Sequence, residues 1–161
     1  MFSYLNKQEK EQWLPQLFDL LYENMQDIAP SGQSYEQEKS EWLAAVSPAL
    51  EKASRQIIMC FVGGELAGYI QYYTRQQMLM VEEVQLKKKY HGTFLFYNFC
   101  KYLKSIIPND LQAVEAYADK RNSNSIRLMK KMGMQICKSD TDSPFVHMRG
   151  SAESIYLLFS R

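Results

Sequence analysis

Two stretches of this chain hold residue types at spacings that can do chemistry. Residues 122–134 run from a polar start at Asn122 and Ser123, through a short amphipathic helix, to Gly133. Asn122 or Ser123 can cap that helix, Ile126, Met129 and Met132 share one face, and Gly133 suits the left-handed position at which helices end. Residues 78–107 run from an apolar strand carrying the adjacent carboxylates Glu82 and Glu83, through a basic turn with Lys87, Lys88, Lys89 and Gly92, into a long helix. Carboxylates take up protons, lysines pair with anions, and the N–H groups that open a helix bind phosphates. In this order the two stretches suit a phosphorylated carrier with a proton acceptor beside it.

These groups need a scaffold, and the chain is long enough to build one. Its 161 residues, 46% of them apolar, predict a single domain over residues 1–161 with a sizeable core. Nineteen basic against eighteen acidic side chains leave a net charge of +1, so no global field draws it to nucleic acid or to a lipid surface. Cys60, Cys100 and Cys137 are far apart in apolar surroundings, which predicts reduced thiols. With only His91 and His147 and no cysteine pair at ligand spacing, no metal site is expected. No stretch approaches the roughly 18 apolar residues of a membrane span or the apolar core of a signal peptide. A cytoplasmic protein is expected.

The elements that position the chemistry follow from periodicity. Leu14, Phe18, Leu21, Met25 and Ile28 predict a helix over about residues 7–27, and Pro30, Ser31 and Gly32 end it. Ser34 and Gln37 form a capping-box pattern, and Trp42, Val46 and Leu50 continue a second helical face toward Ala53. Residues 57–62 and 66–74 read as strands joined by a tight turn at Gly63-Gly64, and residues 78–86 as a third strand beside them. Leu95, Phe99, Tyr102, Leu103 and Ile106 share one face of a helix that ends before Pro108. Residues 111–118 form the next strand, ahead of the Asn122 helix. Residues 135–138 and 154–160 are expected to close the sheet, with a polar loop containing Asp140, Asp142, Ser143 and Pro144 between them. The order of elements predicts an α/β fold with a mixed, mostly antiparallel central sheet flanked by helices.

At this point residues 57–138 resemble the GNAT superfamily, the acyl-CoA-dependent N-acetyltransferases. The resemblance rests on the hairpin over residues 57–74, the strand-loop-helix unit over 81–103, and the 122–134 unit. In the family the last unit reads Asn, two residues, Ala or Ser, two residues, Leu-Tyr, three residues, Gly-Phe. Asn122, Ser125, Leu128, Gly133 and Met134 match it in register, while Met129 fills the tyrosine slot. The family's pyrophosphate loop reads Arg or Gln, Gly, any, Gly, any, Gly or Ala. Aligned on it, His91 takes the first slot, Gly92 matches a glycine, and Phe94 and Phe96 stand at the two other small-residue positions around Thr93 and Leu95; a register two residues earlier starts at Lys89, keeps Gly92 as the later glycine and still ends on Phe94.

The resemblance implies a GNAT-like fold and transfer of an acetyl group from acetyl-CoA directly to an amine, borne by a small molecule or a peptide. It implies that the cofactor meets main-chain groups near Val84 and Leu86, the turn at Lys87, Lys88, His91 and Gly92, the helix start at Thr93, Phe94, Leu95 and Phe96, and Asn122 with Ser125. Glu82 and Glu83 are both candidate general bases, directly or through water. Strand alternation turns only one of them to the cleft, and a bulge of the kind common in the family resets which. Met129 cannot donate a proton, so Tyr90, Tyr117 or water must protonate the leaving thiolate. Two other readings stand beside this one: a noncatalytic binding domain on the same scaffold, and an acyltransferase using another thioester. The acceptor is not specified, and the oligomeric state is open, a homodimer included.

Overall fold

Apolar residues at both parities of a strand cannot leave either face in water, and Ile57, Ile58, Met59 and Cys60 are all buried. A sheet built on such strands needs a layer on each side. The computed structural model, which describes residues 1–52, 54–138 and 142–153, provides it. Its strands are β1 (Phe2–Tyr4), β2 (Arg55–Val62), β3 (Glu65–Arg75), β4 (Met78–Leu86), β5 (Ala113–Asp119), β6 (Gln135–Lys138) and β7 (Phe145–Ser151). They form one seven-stranded sheet in the order β1-β2-β3-β4-β5-β7-β6. Every neighbouring pair is antiparallel except β4 and β5, which run parallel.

Helices α1 (Lys10–Gln26) and α2 (Tyr35–Ala49) cover one face, and α3 (Phe94–Ile106) and α4 (Ser123–Lys131) the other. Leu14, Leu17 and Leu20 of α1 and Val46 of α2 pack on Ile57, Met59 and Tyr69. Opposite, Phe99 and Leu103 of α3 join Ile58, Cys60, Ile70 and Leu79, and Ile126 and Met129 of α4 pack against that cluster. The capping box at Ser34 and Gln37 opens α2 as its sequence predicts. Gly63 and Gly64 both take positive φ, 60° and 84°, as the tight turn between β2 and β3 requires.

The mixed, mostly antiparallel α/β fold read from the sequence is the observed one, with differences at its margins. Helix α1 begins at Lys10, after a 3-10 turn at Lys7–Glu9. A short edge strand, β1, pairs with β2 and has no counterpart in the sequence reading. The strand expected over residues 154–160 lies outside the described residues, as do Ala53 and Asp140. The strand beside β5 is β7, part of the stretch expected to be a loop. Val146, Met148 and Gly150 are buried while Phe145, Arg149 and Ser151 are exposed, which is strand alternation with a polar outer face. Among the described residues no helix is long and apolar enough to cross a membrane, and no group of three or more His, Cys, Asp or Glu is arranged to hold a metal ion.

Candidate active site

Parallel strands that stop pairing before they end leave a gap between them, and β4 and β5 do so. Their register runs from Met78 against Ala113 to Val81 against Ala116 and stops there. Strand β4 continues to Leu86 and β5 to Asp119. Because the two strands point the same way, the gap opens at their carboxyl ends, where ligands of open α/β sheets bind. Helix α3 starts after β4 and α4 after β5, so both helix N-termini stand at the mouth.

The lip formed by β4 carries unpaired backbone. Lys87 donates its N–H to Ala67 on β3, so by strand alternation the N–H groups of Val84 and Leu86 point away from β3, toward the gap. The Leu86 carbonyl lies on the same side. It accepts from Asn24 Nδ2 of α1 at 3.0 Å and from His91 Nε2 at 2.9 Å.

At the inner end of the gap β4 bulges. Gln71 lies opposite Glu83 and Tyr72 opposite Val81, which leaves Glu82 as the extra residue. Strand alternation predicts opposite faces for the two carboxylates. The bulge corrects that expectation and turns both to the α1–α2 face. Glu82 accepts from Arg55 Nη2 at 2.5 Å and from Gln71 Nε2 at 2.9 Å. Glu83 accepts from Tyr69 Oη at 2.5 Å and from Trp42 Nε1 at 3.0 Å. Arg55, Tyr69 and Gln71 share strand parity with Ile57 and Met59, which pack under α1 and α2.

The two environments differ. Burial raises the Glu83 pKa above the ordinary carboxylate value, while hydrogen bonds from Tyr69 and Trp42 pull it back down. The Tyr69 hydroxyl is pushed well up, first by its own burial and then by the Glu83 charge. Glu82 instead lines an open depression of about 230 Å³ together with Tyr73, Met80, Val81 and Tyr117. Tyr117 is the first residue of β5 beyond the paired register, is 56% exposed, and stacks on His147 at 4.6 Å. Next to it, buried Glu115 accepts from His147 at 2.9 Å and from Arg149 at 2.9 Å.

On the other side of the mouth, Gly92 takes φ +74° and α3 begins at Phe94. Thr93 caps the helix: its hydroxyl accepts from the Leu95 N–H and donates to the Tyr90 carbonyl. The remaining first-turn amides have no intrahelical partner by the geometry of a helix. Phe94 is 83% exposed, while Leu95 and Phe96 are half-buried against the core under α3. The Phe94 ring therefore stands in solvent and the Phe96 ring packs on the core. Lys88 is paired with Asp27 and Lys89 with Glu65. The His91 ring turns back to Leu86, and Asn122 caps α4 by accepting from the Ser125 N–H at 3.0 Å. Met129 packs on the core.

No family model matches the sequence, and no curated protein does. Solved structures do. The PaiA N-acetyltransferase from Thermoplasma acidophilum, in complex with coenzyme A, superposes with a TM-score of 0.72 at 14% identity, covering 94% of this chain and 98% of its own. An acetyltransferase from Thermus thermophilus gives 0.71 at 12% identity over 94% of this chain and 97% of its own. FdhC, a nucleotide-linked sugar GNAT in its apo form, gives 0.69 at 10% identity over 99% and 92%. The chain has the GNAT fold.

In this GNAT fold the predicted site residues converge from two strand ends and two helix starts. Glu82 and Glu83 lie at the bulge, Val84 and Leu86 on the lip, Lys87 to Phe96 in the turn and helix start, and Asn122 and Ser125 across the mouth. The side chains that hold the carboxylates, Arg55, Gln71, Tyr69 and Trp42, are not found by sequence reasoning, and neither is the Glu115, His147 and Arg149 cluster. A signal exists for some of them. Gln71 and Glu115 are polar residues inside otherwise apolar strands, and such residues need buried partners.

Proposed function

We propose that this chain is an acyl-CoA N-acyltransferase that moves an acetyl group from acetyl-CoA directly to an amine, with Glu82 as the proton acceptor. The observation that carries the reading is the gap between β4 and β5, with a bulge that sets a carboxylate at its inner end and unpaired N–H groups along its lip. The donor set suits coenzyme A. Amides of the arm can pair with the exposed edge of β4, and the diphosphate can meet Gly92 and the first turn of α3 without a dedicated cation. Lys87, in no ion pair among the described residues, stands at that turn.

The chemistry needs a neutral amine, a polarised carbonyl and a proton for the leaving thiolate. Both Glu82 oxygens accept one hydrogen bond, and each keeps a second lone pair for the amine or for a water bound to it. As Glu82 takes the amine's proton, the nitrogen forms a bond to the acyl carbon and the carbon–sulfur bond breaks. The Val84 or Leu86 N–H meets the charge that develops on the carbonyl oxygen. Tyr117, exposed at the gap, supplies the proton that Met129 cannot.

Thermal unfolding with acetyl-CoA and coenzyme A tests the reading. A ligand at about a hundred times its Kd adds about 2.7 kcal/mol, a rise of roughly 5–10 °C for a chain of this size. Absence of any rise at millimolar concentration overturns the acyltransferase and leaves a noncatalytic domain. A larger rise with a longer acyl thioester than with acetyl-CoA replaces the donor but keeps the class.

A further inference from the structure

We propose that the acceptor is a small primary amine with an uncharged, apolar or aromatic body, seated in the depression between Tyr73 and Tyr117. This rests on the acyltransferase reading and names its second substrate. At about 230 Å³ the depression is smaller than the roughly 300–1,000 Å³ of sites that hold drug-sized ligands. It admits a ring or a short alkyl group. Its walls are two tyrosines, Met80 and Val81, with Glu82 at one side.

The charges around it decide what body it tolerates. Glu82 is neutralised by Arg55, which also lies 5.1 Å from the centre of the Tyr73 ring. Glu115, opposite Met80 in the register, is neutralised by Arg149 and held by His147. Among the described residues around it no carboxylate is therefore left over for a second ammonium, so a polyamine or an aminoglycoside gains nothing for its extra charges. Arg55 and Arg149 are each ion-paired, and the Arg55 Nε, which has no partner among the described residues, is buried, so an acceptor that brings its own carboxylate must be desolvated without a partner. Gln71, 5% exposed, holds Glu82 through Nε2, which leaves the second lone pairs of the carboxylate as the acceptors for the amine. An amine with two N–H groups to give and an apolar body satisfies all of these terms.

The test measures coenzyme A release from acetyl-CoA by the full chain with 2-phenylethylamine, phenylalanine, spermidine and kanamycin as acceptors. 2-Phenylethylamine is expected to exceed each of the others by at least about tenfold in kcat/KM. The ring of Tyr117 is separated from its hydroxyl by two variants. Tyr117→Ala is expected to raise the KM for 2-phenylethylamine by about tenfold, whereas Tyr117→Phe leaves that KM near wild type even where kcat falls. Equal or better turnover of spermidine, kanamycin or phenylalanine overturns the proposal. So does failure to turn over 2-phenylethylamine by a protein whose melting temperature rises with acetyl-CoA. A protein that shows no such rise loses the acyltransferase reading itself, which is a separate outcome.

Discussion

Trp42 donates its indole N–H to Glu83 across 3.0 Å, which pins the second helix to the strand that carries both carboxylates. Burial raises the Glu83 pKa above its ordinary value of 4.5. An acid whose folded pKa exceeds its unfolded one binds its proton more tightly when folded. The burden of its buried charge is therefore absent at low pH and grows as pH rises through the window from 4.5 to the folded value. Wild type is expected to lose stability relative to Glu83→Gln as pH rises above 4.5, read by urea unfolding. Two curves that stay parallel across that window contradict the assignment. Trp42→Phe, which leaves the carboxylate one donor short, is expected to destabilise by about 1–3 kcal/mol.

Gly68 is required by space. A Cβ built there would stand 2.4 Å from the Gln85 carbonyl oxygen and 2.4 Å from Leu86 Cδ2. Relief of that clash must separate β3 from β4 where the Leu86 carbonyl holds Asn24 and His91. Gly68→Ala is expected to cost about 1–3 kcal/mol and to weaken the acetyl-CoA-induced rise in melting temperature. A variant that melts with wild type and binds as well refutes the close approach.

The hairpin, the α2 capping box and the cap of α4 are legible in the chain because each is set by residues within a few positions of one another. The bulge at Glu82 is legible only through the family resemblance, since the register with β3 creates it and that register depends on residues 12 positions away, such as Gln71 opposite Glu83. The partners of the carboxylates come from farther still, Arg55 at 27 positions and Trp42 at 41. Strand β7 escapes because Phe145, His147 and Arg149 on its outer face mask the alternation of Val146, Met148 and Gly150. The family pattern locates the mouth of the gap, and packing alone decides which way Phe94 and Phe96 turn.

Those two phenylalanines occupy positions where the family pattern has small residues, and side chains filling the phosphate path there would make removal tighten cofactor binding. Phe94 is 83% exposed and Phe96 packs on the core under α3. Phe94→Ala is therefore expected to change stability by less than about 0.5 kcal/mol and the coenzyme A Kd by less than about threefold. Phe96→Ala is expected to cost about 1–3 kcal/mol through lost apolar burial. Calorimetric titration and thermal unfolding check both. Tighter binding by tenfold or more in Phe94→Ala, about 1.4 kcal/mol, contradicts the observed orientation.

Glu82 is the proposed base, and its removal has two effects that must be told apart. Glu82→Gln takes the proton acceptor away and also strips Arg55 of its counter-charge, in a pair whose side chains are 21% and 22% exposed. Loss of a positioned base lowers turnover by about 10²–10⁴. The unpaired arginine lowers stability, by less than the 3–5 kcal/mol or so seen when a fully buried pair is broken. Arg55→Met separates the two, because it breaks the same ion pair while leaving the carboxylate in place. It is expected to lose stability but to keep kcat/KM well above that of Glu82→Gln, measured at one temperature below both melting transitions. Equal loss of turnover in the two variants makes the ion pair the requirement, and wild-type turnover by Glu82→Gln removes Glu82 from the chemistry.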